Sequence, residues 1–498
     1  MPIDLLSEYF RTDFILYDVT RLLNQRLMPF ATGIDRVDLH FALGLADRVP
    51  NSIIFVAQRG RDGVIVEPDL MIDYMRALQK SWAVSGNHDR SFSRRFERLG
   101  LVGNIGGPLS FDLERLRDMT PGRRLAYFWD LLAEGDECNV LPEGLTRLYD
   151  LSPTATLPFL VLPSLSPHFA NEISRLWRRF RGLLGRRMGR GLTERLEAVL
   201  KGRSASYFVC SHHGFARKPG FLRRLHEKVG LDVVAYIHDI IPIQFPEYIR
   251  PHQVGLFESY LTEIVAAGGR FICNSDDTAA KLQAHIVEAG WEAQVVATIR
   301  PEIEVTVDTT EPPTPKIAEL MATTAPYFVT VGTIEPRKNH LLLLHLWRHL
   351  ASCGLDRVPH LHIVGKRGWE NENIVDLLER SPSIRRHVSE HNGLDDASLF
   401  HLMRGATAVL FPSFAEGLGL PLIEASALGI PVIASDLPVF REHDHRGVTL
   451  LDPLDGPAWK QACLAALAAD TERRAAGDRH AGRCGAAEEP ARVEPTSV

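Results

Sequence analysis

The sequence predicts an α/β protein built from two doubly wound domains that face each other across a cleft. Three observations carry that expectation. At 498 residues the chain is too long for one ordinary core. From about residue 326 short apolar strands alternate with amphipathic segments, and the amino-terminal half repeats the rhythm less regularly. Its composition, 45% hydrophobic and 24% charged, is that of a globular chain and not of a disordered or fibrous one.

In chain order, "FILYDVT", "SIIFVAQ", "YFVCS", "VVAYIHD" and "RFICNS" read as strands of the first domain, taken as residues 1–310. Each is a nearly continuous apolar run, the pattern of a strand covered on both faces. Residues 60–205 fit the repeat poorly and read as a helical elaboration. The stretch "EIEVTVDTTEPPTPKIAE" (302–319), with three prolines, reads as the linker. The second domain, 311–470, carries the strands "YFVTVG", "LHIVG", "AVLFPS" and "PVIAS", with helices such as "HLLLLHLWRHLASC" between them. No repeat at a period of 20 to 50 residues is visible. Residues 471–498, poor in large apolar side chains, read as a disordered tail.

The net charge of −6 gives no reason to expect nucleic acid as a partner. The six cysteines are scattered without a C-x-x-C pair, so neither a zinc site nor a disulfide framework is indicated, and a reducing compartment fits. The start "MPIDLLSEYFRTDF" lacks the basic and apolar regions of a signal peptide. No apolar run approaches the roughly 18 to 20 residues that cross a bilayer. The expected location is cytoplasmic, or peripheral at the inner face of the cell membrane.

The stretch "EGLGLPLIEASALGIPVIASD" (416–436) follows a strand and so stands where a doubly wound sheet binds ligands, beyond the carboxyl ends of its strands. Pro421 suits a first helical position, so a helix is expected from Pro421 to about Leu428, stopping at Gly429. Gly417 and Gly419 leave backbone N–H groups uncovered beside that helix start, which attracts phosphate. Glu416 precedes the helix and Glu424 is expected in its first turn. Each carboxylate can accept two hydroxyl hydrogen bonds, which suits a ribose and a hexose; equally, both can complement the helix dipole.

"YFVTVGTIEPRKNH" (327–340) is a strand, a Gly-Thr turn containing Thr333, and the cations Arg337 and Lys338 opening the next helix. Positive charge there is placed where a diphosphate would lie.

At these two segments the sequence resembles the nucleotide-sugar-dependent retaining glycosyltransferases of family four, the "glycosyl transferases group 1", through an E-x(7)-E motif preceded by "VGTIEPRKN". The resemblance covers about residues 326 to 455, and extends to "VVAYIHDIIPIQFPEY" and "FICNSDDTAAKL". It implies a GT-B architecture of two Rossmann-like domains, with the donor bound mainly by the second. It also implies that Arg337 and Lys338 contact the donor diphosphate, Glu416 the transferred sugar and Glu424 the ribose, while Gly393 in "EHNGLDDASL" lies near the base. In the first domain Gly33 resembles a loop glycine that approaches the diphosphate and acceptor, with Arg36 behind it; this chain has Thr32-Gly33 where many members have Gly-Gly. His238, after "VVAYI", resembles a histidine near the reacting sugar, and His212 and His213 stand at another strand end. The "HDIIPIQFPEY" segment looks most like mannosyltransferase members, which points to GDP-mannose as donor and to a glycan or lipid-linked acceptor. No metal is expected, since the cations and loop N–H groups supply charge to the leaving diphosphate; a same-face substitution fits retention, because no carboxylate stands out as a covalent nucleophile.

Residues 173–196, "ISRLWRRFRGLLGRRMGRGLTERL", place apolar and arginine side chains on different faces of a helix. Such a helix can rest on anionic lipid or face a core. Two other activities compete: a sugar-nucleotide epimerase of the same shape, and an inactive sugar-nucleotide-binding scaffold. The scaffold is prompted by the polar stretch after about residue 470, where family members usually carry a long helix crossing back to the first domain.

Overall fold

A computed structural model describes residues 2–10, 12–24, 31–59, 62–83, 191–211, 220–301, 313–322, 325–355, 357–443 and 447–475. They form two sheets. The first contains β1 (Phe14–Asp18), β2 (Ile53–Arg59), β3 (Asp62–Val66), β4 (Ala205–Val209), β5 (Asp232–Ile237), β6 (Arg270–Cys273) and β7 (Val295–Thr298), in spatial order β3-β2-β1-β4-β5-β6-β7. Its pairs are parallel except β2 with β3. The second contains β8 (Tyr327–Val331), β9 (His360–Val364), β10 (Val388–His391), β11 (Ala408–Phe411), β12 (Val432–Ser435) and β13 (Val448–Leu451), all parallel, in order β10-β9-β8-β11-β12-β13.

In both sheets the chain moves outward on one side of its first strand and then returns to the other side. Loops leaving the two central strands therefore diverge and open a crevice at their carboxyl ends. This is the Rossmann-like order, found twice, as the two-domain α/β expectation requires.

The apolar runs become strands because helices cover both sheet faces. Every residue of β1 is buried, and Tyr17 meets Phe208 edge-to-face with centroids 5.4 Å apart. In the second domain Phe328 of β8 meets Trp347 of the His340–Leu350 helix in the same way, at 5.5 Å. Strands β3, β7, β10 and β13 have no counterpart in the sequence reading. They lie at or next to sheet edges, so their residues are only partly covered and need no continuous apolar run, as "VSEH" in β10 shows.

Local departures have local causes. The region read as a linker ends in a helix, Pro315–Ala322, which opens on its proline and buries Ile317. The Gly456–Ala475 helix reaches five residues into the segment read as a tail, and it packs on the second domain through Trp459 and Cys463. Of the elaboration at 60–205, the described parts are β3, the Pro68–Ala83 helix and the Leu192–Leu200 helix. The basic amphipathic stretch 173–196 lies outside the described residues up to 190, as do His212 and His213. Among the described residues no helix is long and apolar enough to cross a membrane.

Candidate active site

The crevice of the second sheet lies between β8 and β11, and the loops leaving these two strands hold the quoted motifs. After β8 the backbone passes through Gly332 at φ +151°, where an added Cβ would stand 3.1 Å from Lys338 Cε. Glycine thus makes room for the lysine stem. Thr333 follows, its Cγ2 methyl facing Gly368 so closely that a Cβ there would come within 2.6 Å. Arg337 and Lys338 lie in a single 3-10 turn, Pro336–Lys338, and not in the helix itself. Asn339, at φ +51°, redirects the chain into the His340–Leu350 helix.

Both cations turn inward onto Glu416. Arg337 Nη1 donates to Glu416 Oε2 at 2.8 Å and Lys338 Nζ to Oε1 at 2.5 Å, while Ser413 Oγ adds a hydrogen bond at 2.6 Å. The Glu416 side chain is 8% exposed. Burial pushes its pKa up, but Lys338 and Arg337 outweigh burial and hold it down at about 2. Glu335, which the sequence reading passed over, sits on the far side of Arg337 and accepts from Nε at 2.9 Å and Nη2 at 2.6 Å. Its only sequence signal was its place two residues before the arginine.

The Glu424 environment is different. Its helix is Leu420–Ala427, capped by Gly419 at φ +78°, so Pro421 takes the second helical position and Glu424 the second turn. Gly419 is hemmed by the Phe440 ring, which an added Cβ would meet at 2.4 Å. Glu424 is 6% exposed, and burial pushes its carboxyl up to about 7, opposed by Arg36 and reinforced by Asp396. Arg36 comes from the first domain and pairs with Asp396 of the second. Gly393, at φ +75°, turns the chain out of β10 toward Asp395, which caps the Asp396–Arg404 helix by accepting from Ser398 N at 2.6 Å.

The first domain closes over these loops at two glycines. Gly33 opens the Gly33–Arg48 helix, held by a capping box of Thr32 and Asp35, and an added Cβ there would lie 3.1 Å from Leu420 Cδ1. Gly417 approaches the end of β5 so nearly that a Cβ would stand 2.2 Å from the His238 carbonyl oxygen and 2.9 Å from Asp239 Cβ. Its own carbonyl accepts from Ser275 Oγ at 3.0 Å. His238 Nε2 donates to the Cys210 carbonyl at 2.7 Å, which places a proton on that nitrogen, and the His238 carbonyl accepts from Asn274 Nδ2 at 2.7 Å. Asp239, half-buried, has its pKa raised by burial against the pull of Arg337.

Arg337, Lys338 and Glu416 thus form one ionic network with the His238–Asp239 backbone against its loop. Glu424 belongs to a second group with Arg36 and Asp396, and Gly393 lies three residues before that aspartate. A cationic turn, a carboxylate between two cations and a histidine-bearing strand end form a setting suited to an anionic, polyhydroxylated ligand between the domains. Among the described residues no group of three or more His, Cys, Asp or Glu side chains is placed to hold a metal ion.

Residues 316–478 match the family described as "Glycosyl transferases group 1". The serotype-specific mannosyltransferase WbdA of Escherichia coli is 34% identical over 214 residues, which cover 41% of this chain and 26% of the relative. The O-antigen chain mannosyltransferase B of Escherichia coli is 34% identical over 154 residues, 31% of this chain and 40% of the relative. The chain therefore spans well under half the length of these curated relatives. Among solved structures, sucrose-phosphate synthase from Thermosynechococcus elongatus aligns at 18% identity and a TM-score of 0.41, covering 55% of this chain and 68% of that one.

Proposed function

From a second domain whose residues match the glycosyl transferases group 1, we propose that the protein is a glycosyltransferase of surface polysaccharide synthesis. It transfers a hexose, mannose in the reading favoured by its mannosyltransferase relatives, from a nucleotide-diphosphate sugar to a glycan or lipid-linked acceptor. Anomeric configuration is retained. The observation that carries the reading is the Arg337–Glu416–Lys338 network at the carboxyl edge of the second sheet, facing the strand end that bears His238.

The chemistry follows from charge. Cleaving the bond between anomeric carbon and diphosphate leaves positive charge on the sugar and more negative charge on the leaving group. Lys338, Arg337 and the loop at Gly417 and Gly419 answer the negative charge, and Thr333 and Gly33 are assigned to the same donor. This kind of preorganised help is worth about 3 kcal/mol per well-placed donor. Glu416, ionised at any working pH, faces the transferred sugar, and Glu424 with Gly393 receives the nucleoside. His238, its orientation set by the Cys210 carbonyl, lies near the sugar. The leaving-group charge needs no metal ion in this scheme, and GDP-mannose is the donor of first choice.

The test is incubation with a panel of nucleotide sugars and a lipid-linked oligosaccharide acceptor, with the linkage of the product read by NMR. An axial anomeric product from an axial donor, formed only with acceptor present, is expected. Release of free nucleotide diphosphate with no acceptor would instead favour an epimerase-like reaction, and absence of binding to every nucleotide sugar would remove the donor site altogether.

A further inference from the structure

Arg337 and Lys338 are neighbours and both touch Glu416, yet the structure employs them differently. The Arg337 guanidinium donates from Nε and Nη2 to Glu335 Oε1, and from Nη1 to the Ala415 carbonyl at 2.6 Å and to Glu416 Oε2. These contacts engage four of its five N–H groups. Its backbone carbonyl also accepts from Phe414 N at 2.9 Å. Side chain and backbone together stitch the turn after β8 to the loop after β11. Glu335, 2% exposed, has among the described residues only that guanidinium as a charged partner within hydrogen-bond reach.

Lys338 is held far less. Its ammonium, with three N–H donors, makes one hydrogen bond among the described residues, to Glu416 Oε1. Its stem crosses Gly332, where the absence of a side chain leaves it a path. Around these two cations stand three carboxyl groups, Glu335, Glu416 and Asp239. Both cations are already held by carboxylates, so a diphosphate gains a direct contact with one only when that cation changes partners. Releasing Arg337 would break two contacts to Glu335 and would leave that buried carboxylate without its cation. Releasing Lys338 breaks one.

We propose that Glu335 is a positioning residue: it pins Arg337 as a bracket that orients Glu416, while Lys338 alone leaves Glu416 to contact the donor diphosphate. The inference rests on the donor-binding reading above and divides the labour within it. Both positive charges bear on the leaving group, but only the lysine touches it.

The test compares GDP with GMP, and UDP with UMP, by isothermal titration against the full chain, together with turnover and melting temperature. Wild type should favour the diphosphate. Lys338→Met should abolish most of that preference, weakening diphosphate binding by about tenfold or more while monophosphate binding changes by less than about threefold. Glu335→Gln and Arg337→Lys should keep the preference within about threefold yet lower kcat by about tenfold or more with little change in donor KM. Glu335→Gln, which retains one acceptor oxygen, should fall less than Glu335→Ala. Melting temperatures separate these effects from loss of fold. A preference lost in Arg337→Lys as fully as in Lys338→Met, or a kcat untouched in Glu335→Gln, overturns the division of labour. Wild type that binds none of the four nucleotides overturns the donor reading itself.

Discussion

At Glu424 burial and charge pull in opposite directions. Burial lifts the carboxyl to about 7, Arg36 draws it down and Asp396 pushes it back up. The fold therefore favours the neutral form: the contribution of this group to stability is full below 4.5 and is lost as pH rises through about 7. Its hydroxyl-accepting power runs the other way, since only the ionised form accepts at both oxygens. Donor KM is expected to fall as pH rises from about 6 to about 8, and Glu424→Gln to flatten that dependence. Arg36→Ala removes the cation that favours ionisation, so the midpoint should move upward. KM measured against pH for the three proteins decides the matter, and a midpoint indifferent to Arg36 contradicts the assignment. The glutamate was legible from its motif; its pairing with Arg36 was not, because the two residues stand in different domains and are brought together only by their packing.

Within elements, two features make separate demands. The strand "LHIVG" reads as apolar, yet His362 of β9 is buried and shares a hydrogen bond with His391 of β10, Nδ1 to Nε2 at 2.9 Å. One ring donates and the other accepts, so at least the accepting ring is neutral. Burial lowers His362 to about 3, and lowers His340 to about 4. Below 6.5 the unfolded chain binds protons that the folded one refuses. Stability present above that pH is therefore lost on acidification, by up to about 1.4 kcal/mol per unit for each ring. Denaturant melts at about pH 7.5 and about pH 5 should show the loss, and His362→Phe should reduce it. The loop after β11 makes a steric demand instead. Gly417→Ala drives a methyl into the His238 carbonyl and should depress turnover by about a hundredfold or more, a scale typical of misplaced catalytic geometry. Gly255→Ala, with nothing within 4 Å of the added carbon, is the silent control. Sequence reading assigned Gly417 to phosphate approach, and only the opposing strand end shows what else the missing side chain permits.

Across the whole molecule, further contacts latch the two domains together. Glu442 of the second domain accepts from Asp276 N at 3.0 Å and Asp277 N at 2.7 Å, at the start of the first domain's Asp276–Glu288 helix, and also pairs with Arg300. On the other side Trp369 Nε1 donates to the Tyr248 carbonyl at 2.8 Å, and Tyr248 stacks on Phe414 with centroids 5.8 Å apart. A carboxylate at a helix amino terminus is worth about 1 kcal/mol. Glu442→Ala should therefore loosen closure: small-angle scattering is expected to report a larger radius of gyration and donor KM to rise, while each domain keeps its secondary structure. An unchanged radius and KM would show that the latch does not govern closure.

The chain by itself determined that there are two doubly wound domains and which loops stand at the carboxyl edges of their central strands. Buried strands, helix starts and glycine turns are written in contiguous residues, through apolar runs, capping side chains and backbone freedom. Tertiary structure alone decided which charges meet. Glu416 came to lie between Arg337 and Lys338, Arg36 beside Glu424, and Glu442 at the start of a helix in the other domain. Such pairings depend on how separately formed surfaces cross and pack, and no local pattern of residue types encodes that geometry.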